Sequence, residues 1–161
     1  MYDTCVSTSE DLARLDAAIL DLRRLTAVPV GSPTVRHGAV RIAVSTVLVV
    51  DAVSRATGAG RQSSIGDVAV ALQVVHSTAS RLVDRAVRAG MVTRDRALAD
   101  PRRTVVALTR EGMRLQREAV RFRTGQLNDI LADWSASDVT TLSRLLERFA
   151  HSTHTTMEEP P

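Results

Sequence analysis

Leu12, Leu15, Ile19, Leu22 and Leu25 recur at intervals of three and four, which lays one apolar stripe along a helix. Ser9 stands ahead of the stripe, and Glu10 and Asp11 fall in its first turn, where acidic groups suit the helix dipole. Val28-Pro-Val-Gly-Ser-Pro33 then interrupts the pattern, because each proline lacks an amide donor and pushes its predecessor out of helical geometry. From Thr34 to Ala56 two signals conflict. Val47-Leu-Val-Val50 favours strand by propensity, whereas a run of roughly twenty residues without a strong turn signal favours helix. Length decides, and the segment is expected as a helix.

Gly58-Ala-Gly60 ends that segment and leads into a compact block from Ser64 to Gly90. A short helix is expected over Asp67–Leu72, with Ser64 accepting from the Asp67 amide. A second helix is expected over His76–Ala89, separated from the first by Gln73-Val-Val75. Val68, Ala69 and Leu72 would then face Leu82, Val83 and Ala86, and the small Ala69 lets the two helices approach closely. Met91–Arg96 and Thr104–Leu108 read as a hairpin joined by a turn containing Asp100-Pro101. A long helical pattern succeeds it over Arg110–Asp133. Ser135 and Asp138 are spaced to cap another helix, whose apolar face is Val139, Leu142, Leu145, Leu146 and Phe149. The polar tail His151–Pro161 is expected to be disordered.

Charge sharpens this picture. All twenty-one basic residues are arginine, against eighteen acids, for a formal net charge of +3. The excess is local: the stretch Arg61–Arg110 carries +5 and the remainder −2. Clustered cations are what a phosphate-lined ligand requires. The polar, acidic start MYDTCVSTSEDLARL has no secretory pattern, so a cytoplasmic location is expected. The longest apolar run, Ile42–Val50, falls short of the roughly twenty residues needed to span a bilayer. One cysteine, Cys5, excludes an intrachain disulfide. No complete phosphate loop, His-Glu-x-x-His pair or nucleophile elbow is present, and the chain is not read as an enzyme. The absence of lysine, with abundant Ala, Val and Arg, points to a GC-rich bacterial genome.

Three strings in order, Ser64-Ile-Gly-Asp-Val-Ala69, Ser77-Thr-Ala-Ser-Arg-Leu-Val-Asp-Arg85 and Ala89-Gly-Met-Val-Thr-Arg94, resemble the winged-helix core of the MarR family of transcriptional regulators. Asp100-Pro-Arg-Arg-Thr-Val-Val-Ala-Leu-Thr-Arg-Glu-Gly112 is similar to that family's wing, strand and Leu-Thr-x-x-Gly entry into the dimerisation helix. The resemblance implies a mainly α fold with a small β-hairpin wing: a winged helix-turn-helix plus a helical dimerisation region. On that plan residues 1–60 form amino-terminal scaffold and dimerisation helices, 61–110 the DNA-binding lobe, 111–150 the carboxy-terminal dimerisation helices and 151–161 the tail.

It further implies a nucleoid-associated homodimer, a ligand-responsive repressor on a pseudo-palindromic duplex operator, with recognition helices in successive major grooves and wings in the flanking minor grooves. A groove about 12 Å wide admits a helix. His76, Ser77, Thr78, Ser80 and Arg81 are the candidate DNA contacts on the second helix, with Arg81 the base reader because its fork matches guanine; Arg85 and Arg94 are assigned to phosphate. Arg102 and Arg103 suit a narrow minor groove, with Asp100 orienting Arg103. Two positions depart from the family's pattern. Gln73 occupies a common turn-glycine position, and Val75 one where Ser or Thr caps, which leaves Ser77 as the substitute cap.

Some relatives respond to small aromatic or phenolic acids. His37 and Arg41, one turn apart on the expected helix, are the candidate effector residues. Others sense peroxide through a cysteine near the first helix, a role for which Cys5 is the candidate here, although Asp3 and Glu10 beside it do not favour a thiolate. His151 and His154 lack a third ligand, and neither metal nor cofactor is assigned. The alternative to DNA binding is a winged-helix module that binds protein, since fold does not fix function.

Overall fold

The computed structural model describes residues 9–26, 34–38, 40–96 and 104–158. The amino-terminal stripe forms helix α1, Ser9–Thr26. The expectation of one helix over Thr34–Ala56 is corrected by a hairpin at its start. Strands β1 (Thr34–His37) and β2 (Val40–Ala43) pair antiparallel, with Thr34 opposite Ala43 and His37 opposite Val40, before helix α2 runs from Val44 to Gly58. Gly38 sits in the turn at φ +58°, a conformation that costs glycine nothing and halts a right-handed helix. Alternation does the rest. Arg41 is exposed while Ile42 is buried, and His37 is buried at the end of the partner strand. Ala43 then enters α2 from extended backbone without a side-chain cap.

α2 is the hub of the chain, the helix around which the next elements pack. Val49, Val50 and Val53 are fully buried there, so tertiary packing overrides the strand preference of valine. Helices α3 (Ile65–Leu72) and α4 (His76–Arg88) meet through Val68 and Ala69 on one side and Ala79, Val83 and Ala86 on the other. Strands β3 (Val92–Arg96) and β4 (Thr104–Leu108) form the expected hairpin. Ser63 adds an isolated bridge to β4 that the sequence does not announce: the Val106 amide donates to its carbonyl at 2.8 Å.

Helix α5 (Arg110–Ile130) begins at a tight anchor. Thr109 Oγ1 accepts from the Gly112 amide at 2.9 Å and donates to the Gly90 carbonyl at 2.7 Å, and the Thr109 amide donates to the Met91 carbonyl at 3.1 Å. This is the physical content of the Leu-Thr-x-x-Gly string: threonine ties the helix start to the residues that follow α4, and glycine lets the two backbones touch.

Helix α6 runs from Ala136 to Glu158, capped as expected by Ser135, whose Oγ accepts from the Asp138 amide at 3.1 Å. It corrects the expectation of a disordered tail from His151, since the helix continues well past Ala150. Ser152 Oγ and Thr153 Oγ1 donate to carbonyls one turn back, so these polar residues bond within the helix. Much of α1, the second half of α5 and α6 remains uncovered: Leu12, Leu15, Leu22, Phe122, Leu145, Leu146 and Phe149 are all exposed. Among the described residues, no helix is long and apolar enough to cross a membrane.

Candidate nucleic-acid interface

α3 starts on a complete capping box. The Asp67 amide donates to Ser64 Oγ at 3.2 Å and the Ser64 amide donates to Asp67 Oδ2 at 2.7 Å, which satisfies two of the amides that a helix start leaves without partners. At the other end Gln73 adopts φ 52°, ψ 45°, the left-handed geometry that glycine would occupy at no steric cost. The turn is therefore built as a glycine turn would be, with the Val74 amide donating to the Ala69 carbonyl at 3.0 Å. The turn takes only Gln73–Val75, and α4 begins at His76.

Val75 is the N-cap of α4, and no side chain caps the helix. The expectation that Ser77 substitutes as cap is corrected: the first bonds of α4 run from the Thr78 and Ala79 amides to the Val75 carbonyl. Ala79, Val83 and Ala86 hold one face of α4 in the core. The opposite face presents His76, Ser77 and Arg81 to solvent, with Thr78 and Ser80 half-buried at its margins. These five candidates occupy the first two turns of one helix.

The arginines divide by partner. Among the described residues Arg81 forms no ion pair, so its guanidinium is uncommitted. Arg94 Nη2 lies 2.9 Å from Asp84 Oδ1, a pair that braces β3 against α4. Arg85 Nη1 donates to Ser45 Oγ at 3.3 Å, at the start of α2. Asp100, Arg102 and Arg103 of the wing lie outside the described residues, as does Cys5.

Arg85 lines a cleft of about 660 Å³ between the β1–β2 hairpin, α2, the end of α4 and the start of α5. Arg41 and Arg88 contribute two further guanidinium groups, and Ile42 and Met91 an apolar floor. His37 and Arg41 both line it, but they sit on neighbouring strands and not one turn apart on a helix, with His37 opposite Val40 and Arg41 opposite Arg36. Arg41 Nε donates to Thr34 Oγ1 at 3.0 Å. His37 is held on both ring nitrogens, by Glu118 at 2.5 Å and Glu111 at 2.8 Å. The hydrogen bond from His37 holds the Glu118 carboxyl below the ordinary glutamate value.

Sequence reasoning missed Arg88, Glu111 and Glu118. The last two carried a signal, since a spacing of seven puts two carboxylates on one face of a helix, two turns apart.

No protein-family model matches the sequence, and no curated protein is similar to it. Solved structures do match. A MarR family transcription regulator superposes with a TM-score of 0.69 at 18% identity, over 94% of this chain and 96% of its own. FabT of Streptococcus pneumoniae, in complex with DNA, gives 0.59 at 19% identity, over 91% and 95%. A MarR family protein of Bacillus stearothermophilus gives 0.57 at 24% identity, over 99% of each chain. The chain has the winged helix-turn-helix fold of MarR family regulators, with helical flanks and a small β-hairpin.

Proposed function

We propose that this chain is a MarR-type transcriptional regulator that acts as a homodimer on duplex DNA, each subunit laying α4 in a major groove. The observation that carries the reading is the exposed first half of α4, where Ser77 and Arg81 offer donors and Arg81 has no competing ion-pair partner among the described residues. An α4 buried on one face by small residues and polar on the other is the shape a groove accepts. FabT, which shares the fold, was solved in complex with DNA, and this supports nucleic acid as the ligand. The uncovered apolar faces of α1, α5 and α6 support a second copy as their cover. In this scheme Arg102 and Arg103 reach the minor groove.

Duplex affinity is expected to fall log-linearly with salt, with a slope of about 0.9 per phosphate neutralised. A protein-binding module of the same fold would show no such slope. Arg81→Ala is expected to cost about 1–3 kcal/mol of discrimination at one base pair, read by competition among duplexes that differ at single positions. Equal weakening on every sequence would make Arg81 a phosphate contact instead. Because Arg94 is paired with Asp84, its removal combines a lost phosphate contact with a loosened β3, so Arg94→Ala should lower stability as well as affinity.

The cleft supports a second element of the proposal, release by a small aromatic or phenolic acid. Arg41, Arg85 and Arg88 would take the carboxylate, and Ile42 and Met91 the ring. Arg85 and Arg88 belong to α4, so a bound acid would act on the recognition helix. By linkage, DNA must weaken the acid by the same factor as the acid weakens DNA. Calorimetric titration of hydroxybenzoates with and without duplex tests this reciprocity.

A further inference from the structure

His37 has only 2% of its side chain exposed, and each ring nitrogen faces a carboxylate oxygen. Nδ1 meets Glu118 Oε2 at 2.5 Å and Nε2 meets Glu111 Oε1 at 2.8 Å. An ionised carboxylate only accepts, and a neutral imidazole has one N–H and one lone pair. A neutral ring would therefore set its lone pair against one of the two carboxylates at hydrogen-bond distance. The imidazolium, with two N–H groups, satisfies both.

The ring thereby ties the β1–β2 hairpin to α5 at two points two turns apart. Glu111 lies in the first turn of α5, beside the Gly112–Met91 contact that seats the helix on the residues that follow α4. Other charges surround the clamp. On α5, Arg114 Nη2 is 3.5 Å from Glu111 Oε1, and Arg114 and Arg121 both favour the ionised form of Glu118. Arg41 from β2 and Arg85 and Arg88 from α4 line the adjoining cleft. With Arg114 and Arg121 favouring an ionised Glu118, the clamp depends on how many N–H groups the His37 ring presents.

We propose that His37 is a proton-operated latch between the hairpin and α5, closed when the imidazole is charged and loosened when the proton leaves. On the DNA-binding reading above, an open latch frees α5 from the hairpin and so unfixes the recognition helices, and duplex affinity falls as pH rises. The latch needs charge on both sides. The Glu118 contribution, with its folded value lowered, is present above the ordinary carboxylate value and lost as pH falls through the lowered one. A ring that has given up one N–H can satisfy only one of the two carboxylates, so the other bond is lost on the alkaline side.

The test uses the full chain and Glu118→Gln. A glutamine amide can donate to an unprotonated ring nitrogen, so the variant closes the latch with a neutral His37. Thermal midpoint and duplex affinity are measured at about pH 6 and about pH 8.5. The native protein is expected to lose stability and about tenfold in affinity across that interval, the equivalent of one pH unit of proton linkage. Glu118→Gln is expected to be flat in both, and His37→Gln to be uniformly weaker. A flat native profile, or a Glu118→Gln profile that tracks the native one, overturns the latch. If no duplex binds at either pH while the stability difference persists and Glu118→Gln abolishes it, the latch stands and the DNA-binding reading falls.

Discussion

Gly112→Ala is expected to unfold the winged helix-turn-helix lobe or to leave it only marginally stable. A Cβ at this position would lie 2.0 Å from the Met91 carbonyl oxygen and 3.0 Å from its carbon, and both are backbone atoms. Neither side can yield cheaply. Met91 is buried, and its carbonyl accepts from the Thr109 amide at 3.1 Å and from Thr109 Oγ1 at 3.1 Å. Moving α5 away by the necessary distance breaks these bonds and pulls Leu115 out of the core. The resulting loss is about 3 kcal/mol or more, a large part of the roughly 5–15 kcal/mol that holds a domain of this size together. Gly125 provides the control, since a Cβ there meets nothing within 4 Å. Gly125→Ala in the same helix should raise stability by about 0.5–1 kcal/mol. Urea unfolding of the two variants decides the matter. An unchanged midpoint for Gly112→Ala would mean that α5 does not sit against Met91 as described.

The Ser64–Asp67 box was legible in the sequence and the setting of His37 was not, because one is local and the other is not. The box acts across three residues, as does the Thr109 cap on the Gly112 amide, whereas the seat of Gly112 on Met91 reaches back along the chain and entered the sequence reading only through the family resemblance. The face of α4 was legible for the same reason, because a period of 3.6 separates Ala79, Val83 and Ala86 from Arg81 within a single helix. The partners of the arginines lie far along the chain. Arg85 reaches back to Ser45, and His37 reaches forward to Glu111 and Glu118, distances that no local pattern encodes. The β1–β2 hairpin failed differently: its strands hold four residues each, too few for alternation to outweigh a long run without proline. The Ser63 bridge is set by the neighbouring β4, with nothing in its own neighbourhood to announce it.

If the proposed homodimer on DNA is right, replacing Leu142, Leu145 and Leu146 together with alanine is expected to produce a folded monomer with weakened duplex affinity. Leu145 and Leu146 are each 47% exposed within one chain, so their packing there is slight, and alanine is the best helix former, so α6 itself persists. The loss falls on association. Each truncated leucine removes on the order of 1 kcal/mol of apolar burial that only a second copy supplies, and two-fold symmetry doubles the set. Allowing for imperfect burial, the dimer constant should weaken by roughly a thousandfold, about 4 kcal/mol. DNA affinity falls with it, because one recognition helix must then bind without the high local concentration that the second provides. Sedimentation velocity on the native and triple-variant proteins, with circular dichroism to confirm helix content, reads both steps. A variant that stays dimeric places the seam elsewhere, on α1 or the second half of α5. A native protein that sediments as a monomer removes the second copy, and with it the physical reason for Leu12, Phe122 and Phe149 to stand uncovered on a single chain.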